Sequence, residues 1–418
     1  MDEVRDILPS KGQTRLYLFQ HRIPHSYQTV LKSYAACLGS NDAPLPKGIK
    51  GSDLVKLKNV LETHRKRTGS IVKSALRLEA NLIERAAELG DNTAIALLCG
   101  RTLLTPLKEN ISEEERKQEE DDRLHAVKLL DELSQEHDFG LAYKIKGDVA
   151  YKHGSVTKAE SLYQACIDSL PATGSRDSDS NTATLRVECL RNIGIIRFRD
   201  FDIETSRTYF ELAVLEAENN EVGNPVQAMD CHYYLGQIMS ESDKQRARYH
   251  LEQAARQGLK ESFAPLGFLL LNYFSRSDLA QEWFDLGADI GEVTSLIGQF
   301  DVAMLQENYE QAEKSLEKIK KNVLASDPNS VENQQTPAEL LNQILKTRSD
   351  AIEKLEKTRP PSVEIAKETV SETTVTAGES ENTPDVDSKS IENGKTQKEE
   401  VAQSSNYNEL KNTSRWDF

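Results

Sequence analysis

The chain has 418 residues, of which 38% are hydrophobic and only 6% aromatic, and its formal net charge is −16. This composition suits two or three ordinary domains, or one long helical solenoid with a thin core. An acidic chain repels phosphate backbones, which disfavours nucleic-acid binding by the protein as a whole.

The cysteines and the first residues bear on the compartment. The five cysteines are scattered singly without a CxxC pair, which indicates a reducing compartment and argues against a disulfide framework or a zinc site. No apolar run approaches the roughly 18 to 20 residues needed to cross a bilayer. Asp2, Glu3 and Asp6 are unlike an Arg-rich mitochondrial presequence, and no apolar signal is visible. Taken literally, the N-terminus predicts a cytosolic protein.

The predicted elements begin after an N-terminal segment, residues 1–50, which ends in a break rich in Pro, Gly and Asn. An N-terminal helical region follows over residues 51–133, with Ser52 and Asp53 as expected helix caps and a break at Thr68-Gly69. Inside it, the charge run at residues 108–122 predicts an acidic, solvated insertion or an exposed helix end, with the partner helix resuming at Leu124.

The stretch from Lys47 to Arg77 is basic, with nine Lys or Arg against Asp53 and Glu62. It is either a solvated helix face or a contact with anionic lipid headgroups or ribosomal RNA. Each Lys or Arg at an anionic membrane contributes up to about 1 kcal/mol. The candidate membrane-surface residues are Lys56, Lys58, Arg65, Lys66, Arg67 and Lys73.

A helical-hairpin pattern repeats through residues 134–357. In the clearest copy Gly147 is followed by Ala159 at +12, Tyr163 at +16 and Cys166 at +19, which is tetratricopeptide spacing. Small residues at these positions let two helices approach closely, and the large residue fills the gap between neighbouring pairs. Turns of variable length resemble Sel1-type repeats. The column of small residues that anchors the copies is Ala159, Ser206, Ala247, Ala280 and Ala312.

These patterns predict an all-α fold, an α-solenoid of tetratricopeptide/Sel1-like helical hairpins. Pro337 to Lys357 is expected to form one capping helix, since the end of a stack needs a polar outer face. Residues 358–418 are expected to be a disordered acidic tail. From Pro360 on there are 12 acidic and 6 basic residues and few large apolar ones. Its end, SRWDF, is either a docking motif or an unremarkable tail.

A stack of hairpins presents its first helices along a groove that suits an extended or helical peptide. Inter-repeat packing is the alternative role for several of these side chains. No Asn follows Gly147, Gly194, Gly236 or Gly267, so the carboxylate clamp of chaperone-binding tetratricopeptide domains is not expected. The peptide-groove candidates are Lys144, Asp148, Tyr151, Arg191, Ile195, Phe198, Tyr233, Gln237, Phe268 and Leu271.

Motifs for catalysis are not found. The sequence has no GxxxxGK[ST], GxSxG, HExxH or Rossmann fingerprint. Pro24 between His21 and His25 disfavours a helical metal pair. We therefore expect no catalytic, metal or cofactor site, and an enzyme is the least favoured class of function.

Three stretches resemble a small fungal mitochondrial family. They are DILPSKGQTRLYLFQ near the N-terminus, GSDLVKLKNVLETHR with LIERAAELGDNTAIALL between Gly51 and Leu98, and FAPLGFLLLNYFSRSDLAQEWFDLGADI with QENYEQAEKSLEKIKK. That family is the matrix-side factor required for export of the cytochrome c oxidase subunit 2 C-terminal tail across the inner membrane. The missing presequence and the acidic tail after Arg359 depart from it.

The resemblance implies a non-enzymatic adaptor in cytochrome c oxidase assembly, bound peripherally to the matrix side of the mitochondrial inner membrane. Its implied partners are the subunit 2 tail and an Oxa/YidC-type insertase. The alternative is a cytosolic or ER-associated Sel1/tetratricopeptide scaffold that binds peptide segments of partner proteins.

Overall fold

The computed structural model describes residues 8–38, 43–69, 71–106, 112–172, 180–219, 225–325 and 336–358. Within these ranges all regular structure is helical, so the predicted all-α fold is confirmed. The expected disordered tail lies outside the described residues, apart from Thr358. The helices are α1 (Lys11–Gln20), α2 (Tyr27–Leu38), α3 (Gly51–Thr68), α4 (Lys73–Glu88), α5 (Asn92–Leu104), α6 (Glu113–Gln135), α7 (Gly140–Lys152), α8 (Val156–Ser169), α9 (Ser180–Arg199), α10 (Ile203–Asn219), α11 (Met229–Met239), α12 (Lys244–Arg256), α13 (Phe263–Asn272), α14 (Ser277–Asp289), α15 (Val293–Leu305), α16 (Tyr309–Leu324), α17 (Pro337–Thr347) and α18 (Ser349–Thr358).

The helices pair as hairpins, in which an odd-numbered first helix packs on the even-numbered second helix that follows it. From α4 onwards, each second helix also packs on the first helix of the next hairpin. First helices touch across hairpins at α1–α3, α3–α5, α5–α7, α7–α9 and α13–α15. The second helices α2 and α4 also touch, as do α16 and α18, but between α4 and α16 the second helices of successive hairpins make little direct contact. The first helices therefore form an inner layer of the stack, which is closely spaced except on either side of α11.

The N-terminal hairpins share one core that crosses the boundary we drew at residue 50. Buried side chains from α1 to α5 form a single cluster. Within it the hydroxyl of Tyr34 on α2 donates a hydrogen bond to the Leu57 carbonyl on α3, at 2.9 Å. This core needs residues from both sides of the boundary.

The start of α3 differs in detail from the expectation, and its end agrees with it. Lys50, not Ser52 or Asp53, is the N-cap, and Asp53 sits three positions later, where its carboxylate accepts from the Lys50 backbone N–H at 3.0 Å. The helix ends at Thr68, as expected. Gly69 follows in the left-handed region at φ +64°, which only glycine adopts without steric cost.

Over residues 112–122 the acidic run is an exposed helix end, one of the two alternatives, but the expected start of the partner helix at Leu124 is wrong. Residues 107–111 lie outside the described residues, but α6 begins at Glu113, more than two turns before the expected Leu124. Ser112 and Glu115 form a capping box, and three glutamates occupy the first turn. Because anionic side chains are favoured at the positive end of the helix dipole, this run starts the helix instead of interrupting it.

The repeat template is confirmed by the packing of its small residues. The column from Ala159 to Ala312 is fully buried, and the Ser206 hydroxyl donates to the Gly194 carbonyl at 2.9 Å. A Cβ on any of the four first-helix glycines would lie 2.5–2.6 Å from a large side chain of the second helix. The pairs are Gly147–Tyr163, Gly194–Phe210, Gly236–Leu251 and Gly267–Phe284.

The prediction of one capping helix from Pro337 to Lys357 is wrong, because the chain turns at Arg348 and forms two helices, α17 and α18. The Arg348 guanidinium binds both carboxylate oxygens of Asp301 on α15, at 2.8 and 2.9 Å. The turn lets Ile344 and Leu355 both reach the core under α16.

A histidine pair, of which His232 is buried and His250 half-buried, joins the two helices of the third glycine-marked hairpin. The Nδ1 atoms of His232 on α11 and His250 on α12 are 2.9 Å apart, and His232 is 1% exposed. Burial lowers the pKa of His232 to about 4, and burial together with His232, Arg246 and Arg207 lowers the pKa of His250 to about 3. Both rings are therefore neutral in the folded protein near pH 7.

We expect Gly267→Ala to lower the free energy of unfolding by about 1–3 kcal/mol, because the added methyl overlaps the Phe284 ring. Thermal unfolding followed by circular dichroism measures this. Gly12→Ala is the matched control, since a Cβ at Gly12 meets nothing within 4 Å and alanine favours the helix. Equal melting temperatures for the two variants would contradict the close approach.

We expect the histidine pair to make stability rise with pH between about pH 3 and pH 6.5. The folded-state pKa values lie below the unfolded value, so in this window the unfolded state binds more protons and acid favours it. His250→Gln should remove about 2 kcal/mol of the stability change between pH 6.5 and pH 4.5, measured by urea unfolding. The exposed His125, changed to Gln, is the control. Identical pH profiles for His250→Gln and the parent chain would refute this role.

Candidate peptide-binding groove

All ten groove candidates lie on the first helices α7, α9, α11 and α13, and all are half-buried. Since these helices belong to the inner layer, their free faces follow one another along one side of the stack. We call this surface the groove. A half-buried side chain is fixed by its neighbours on one side and is open to a ligand on the other.

The α7–α9 part of the groove is polar and internally neutralised. The Lys144 ammonium lies 2.9 Å from Asp148 and 3.2 Å from Glu188 on the next first helix. Burial would lower the pKa of Lys144, but Glu188 and Asp148 outweigh it and raise the pKa. The Tyr163 hydroxyl donates to Asp148 at 2.9 Å. A cleft of about 160 Å³ opens here, lined by Asp148, Tyr151, Tyr163, Asn192 and Ile195.

Arg191, Phe198 and Tyr151 lie on successive parts of the same surface and contact neighbouring helices. The Arg191 guanidinium is 3.3 Å from the Asp230 carboxylate on α11. Phe198 packs against Tyr234 of α11 with ring centroids 5.1 Å apart, and the Tyr151 hydroxyl accepts a hydrogen bond from Arg199. These contacts connect α7, α9 and α11 through groove side chains.

The α11–α13 part is apolar. Gln237 donates to the Tyr233 hydroxyl at 2.6 Å, and Phe268 meets the buried Phe284 ring edge-on at a centroid distance of 4.9 Å. Leu271 packs against the same cluster. A second cleft, of about 560 Å³, lies between the two helices and is lined by Gly236, Gln237, Ser240, Lys244, Leu251, Pro265, Phe268, Leu269, Asn272 and Tyr273.

Several groove residues were missed by the repeat projection. Asn192 lines the polar cleft, Glu188 neutralises Lys144, and Lys244 and Tyr273 line the apolar cleft. Asn192 could have been found, because it follows the candidate Arg191 by one helical position. Lys244 could not, because it lies on a second helix, which the projection left out.

The basic residues of the N-terminal region divide into two kinds. Lys58 and Lys66 both pair with Glu62, at 2.5 and 2.7 Å, and Arg65 binds the buried Glu79 of α4 through two hydrogen bonds. Burial would raise the pKa of Glu62, but hydrogen bonds from Lys58 and Lys66 lower it to about 2. Arg65 therefore connects α3 to α4.

The remaining basic candidates are less engaged. Arg67 is exposed and lies over the Tyr17 ring of α1, 5.3 Å from its centroid, while Lys73 is exposed and Lys56 half-buried. The Arg67 contact and the 3.3 Å approach of His21 to Thr63 bring the C-terminal ends of α1 and α3 together.

Exposed apolar side chains occur at this same end of the N-terminal region. Phe19 is 82% exposed and Ile71 is 76% exposed, and Leu16, Val72 and Leu76 are exposed as well. We call these five residues, with Lys66, Arg67 and Lys73, the basic-apolar surface. No helix in the described part of the chain is long and apolar enough to span a membrane.

One group of potential metal ligands lies within the described residues. Glu132, Glu136 and His137 bring their ligand atoms within 4.8 Å of one another, and all three are exposed. Exposed acidic groups of this kind are common without an ion. The arrangement adds nothing to the groove, which lies elsewhere.

Comparison with known proteins connects this architecture to a mitochondrial family. Residues 1–91 match the family model described as the MSS2 N-terminal domain. The chain is 27% identical over 361 residues to "Protein MSS2, mitochondrial" of Saccharomyces cerevisiae, covering 84% of this chain and 94% of the yeast protein.

Two solved structures also match. PilF of Pseudomonas aeruginosa matches at 14% identity with a TM-score of 0.40, over 56% of this chain and 93% of that one. The TPR domain of P58(IPK) matches at 13% identity with a TM-score of 0.24, over 83% of this chain and 99% of that one. Neither TM-score is high enough to inform on function. The resemblance found in the sequence is confirmed by the other two matches: the chain is similar to the yeast mitochondrial protein MSS2 over most of its length, and its residues 1–91 are similar to the MSS2 N-terminal domain.

Proposed function

We propose that this protein is a mitochondrial, non-enzymatic adaptor. Its groove holds the C-terminal tail of cytochrome c oxidase subunit 2, or an Oxa/YidC-type insertase, during export of that tail from the matrix side of the inner membrane. The observation that carries the proposal is the row of half-buried side chains on α7, α9, α11 and α13. The mitochondrial yeast homologue supports the compartment.

The groove suits an extended polypeptide for two reasons. Its two clefts occur on the same first-helix layer, one polar and one apolar, so a segment lying across them meets both kinds of contact. Its side chains are held in place by contacts such as Lys144–Asp148 and Phe268–Phe284. Side chains that are already ordered lose little entropy on binding, which favours affinity.

The basic-apolar surface supports peripheral binding to the inner membrane. Arg67 and Lys73 make no ion pair within the described residues, and Lys66 is 70% exposed although it pairs with Glu62. Interleaved with them are Phe19 and Ile71, whose apolar side chains face solvent. Aromatic and aliphatic groups enter the headgroup boundary while Lys and Arg attract anionic lipids, so this combination is typical of an interfacial surface.

If the protein acts in export, substitutions in the groove should block export, and substitutions on other surfaces should not. In yeast lacking MSS2, the chain expressed behind a mitochondrial presequence should restore access of added protease to the subunit 2 tail on the outer face of the inner membrane. Ile195→Glu with Phe268→Glu should abolish this, because both side chains line the groove clefts and charge would displace an apolar ligand.

The matched control is Leu215→Glu with Leu286→Glu, since these leucines are exposed on the second helices α10 and α14. Circular dichroism of all purified variants confirms that they fold. Full export with the groove variant would rule out the groove as the client site. No export with the unchanged chain would contradict the proposed role and favour a scaffold of Sel1 type outside mitochondria.

Membrane binding predicts a charge-dependent association with vesicles. Changing Lys66, Arg67 and Lys73 to Glu should weaken flotation with cardiolipin-containing vesicles by about 100-fold, since each basic residue contributes about 1 kcal/mol. The control changes Lys318, Lys320 and Lys321 on α16 to Glu, since these three lysines are also exposed. Phe19→Ser with Ile71→Ser should reduce the binding that survives in high salt. Equal flotation of the two triple variants would place the membrane contact elsewhere.

A further inference from the structure

We propose that the cleft between α11 and α13 binds a segment of a partner polypeptide in which a bulky apolar side chain stands next to an aspartate or glutamate. We call it the α11–α13 cleft. This inference rests on the proposed function of the groove and names the chemistry of the segment that this part of the groove accepts.

The cleft lies between α11 and α13, two first helices that make little direct contact with each other. Its floor forms where Gly236 lacks a Cβ and the nearly buried Leu251 approaches from α12. Phe268, Pro265 and Leu269 supply an apolar wall. With about 560 Å³ of space, it holds a large side chain together with backbone on either side.

Lys244 gives the α11–α13 cleft its charge. It is the one charged side chain among the described residues that line the cleft, and its ammonium lies 5.7 Å from the centroid of the exposed Tyr273 ring. The ammonium donates to the backbone carbonyls of Ser240 and Glu241 at the end of α11. An ammonium has three donors, so one remains for a ligand carboxylate.

The surroundings of the lysine in each cleft explain why the α11–α13 cleft, and not the polar cleft, selects an acidic ligand. In the polar cleft Lys144 already has Asp148 and Glu188 within 3.2 Å, and these two carboxylates offset its charge. Among the described residues Lys244 forms no ion pair, and its hydrogen bonds go to carbonyl groups, which carry only partial charge and do not neutralise the ammonium. A hydrogen bond to a charged group is stronger than one between neutral groups, so this contact can discriminate between ligands.

Fluorescence anisotropy with the full chain tests this. The probes are labelled twelve-residue Gly/Ser peptides with a central Phe-Asp, Phe-Lys or Ala-Asp pair. We expect Phe-Asp to bind at least about tenfold more tightly than either of the others. Lys244→Gln should remove the preference for Asp over Lys, Lys244→Glu should invert it, and Lys244→Arg should retain it.

Lys318→Gln, at an exposed lysine of α16, is the matched control and should leave the preference unchanged. Because Lys244 also binds the end of α11, circular dichroism is recorded for each variant to check that it folds. Lys244→Arg changes the side chain but keeps its positive charge. Equal binding of the three peptides, or a preference that survives Lys244→Gln, overturns the proposal. Self-association of the chain that depends on Lys244 also overturns it, because a second copy would then occupy the cleft.

The export assay separates this inference from the proposed function. If Ile195→Glu alone blocks export while the peptides show no Lys244-dependent preference, the groove function stands and the cleft chemistry is wrong. If the preference is found but the unchanged chain does not restore export, the cleft chemistry stands and the export role is wrong.

Discussion

The close approach of two helices at a glycine is the contact on which the rest of the structure depends. In four successive hairpins a large side chain of the second helix lies directly against the glycine of the first, as Tyr163 does at Gly147. This fixes the spacing within each hairpin. The groove lies beside these contacts, since Tyr163 lines the polar cleft and both Gly236 and Leu251 line the α11–α13 cleft.

The hairpins could be predicted because their determinants are local. Gly147, Ala159 and Tyr163 are spaced within one hairpin, so their periodicity alone places them in contact. The division of the cap at Arg348 could not be predicted, since the turn is held by Asp301, 47 residues earlier. The start of α6 was placed too late, at Leu124, because the glutamate run before it was not counted as the start of that helix, although glutamate is favourable in the first turn.

The sequence predicts which residues share the groove face, but it does not predict which of their charges are available to a ligand. Helical register puts Lys144 and Phe268 on the groove face, because register depends only on spacing along one helix. Whether a charge is available depends on other elements: Glu188 offsets Lys144 from the next hairpin, and Glu79 engages Arg65 from α4. Exposed apolar residues such as Phe19 leave no periodic signal, so only the folded structure shows them.

The two clefts lie between hairpins that differ in repeat spacing. From glycine to the small anchor residue the offset is 12 residues in the first two hairpins, but 11 from Gly236 to Ala247 and 13 from Gly267 to Ala280. Where the offsets match, α7 and α9 touch, and their side chains neutralise one another across the gap. Where they differ, α11 and α13 make little contact and an open cleft remains beside Lys244. Variation in turn length, which weakens the match to a strict repeat, thus coincides with the place where the groove offers most space and an unneutralised charge to a ligand.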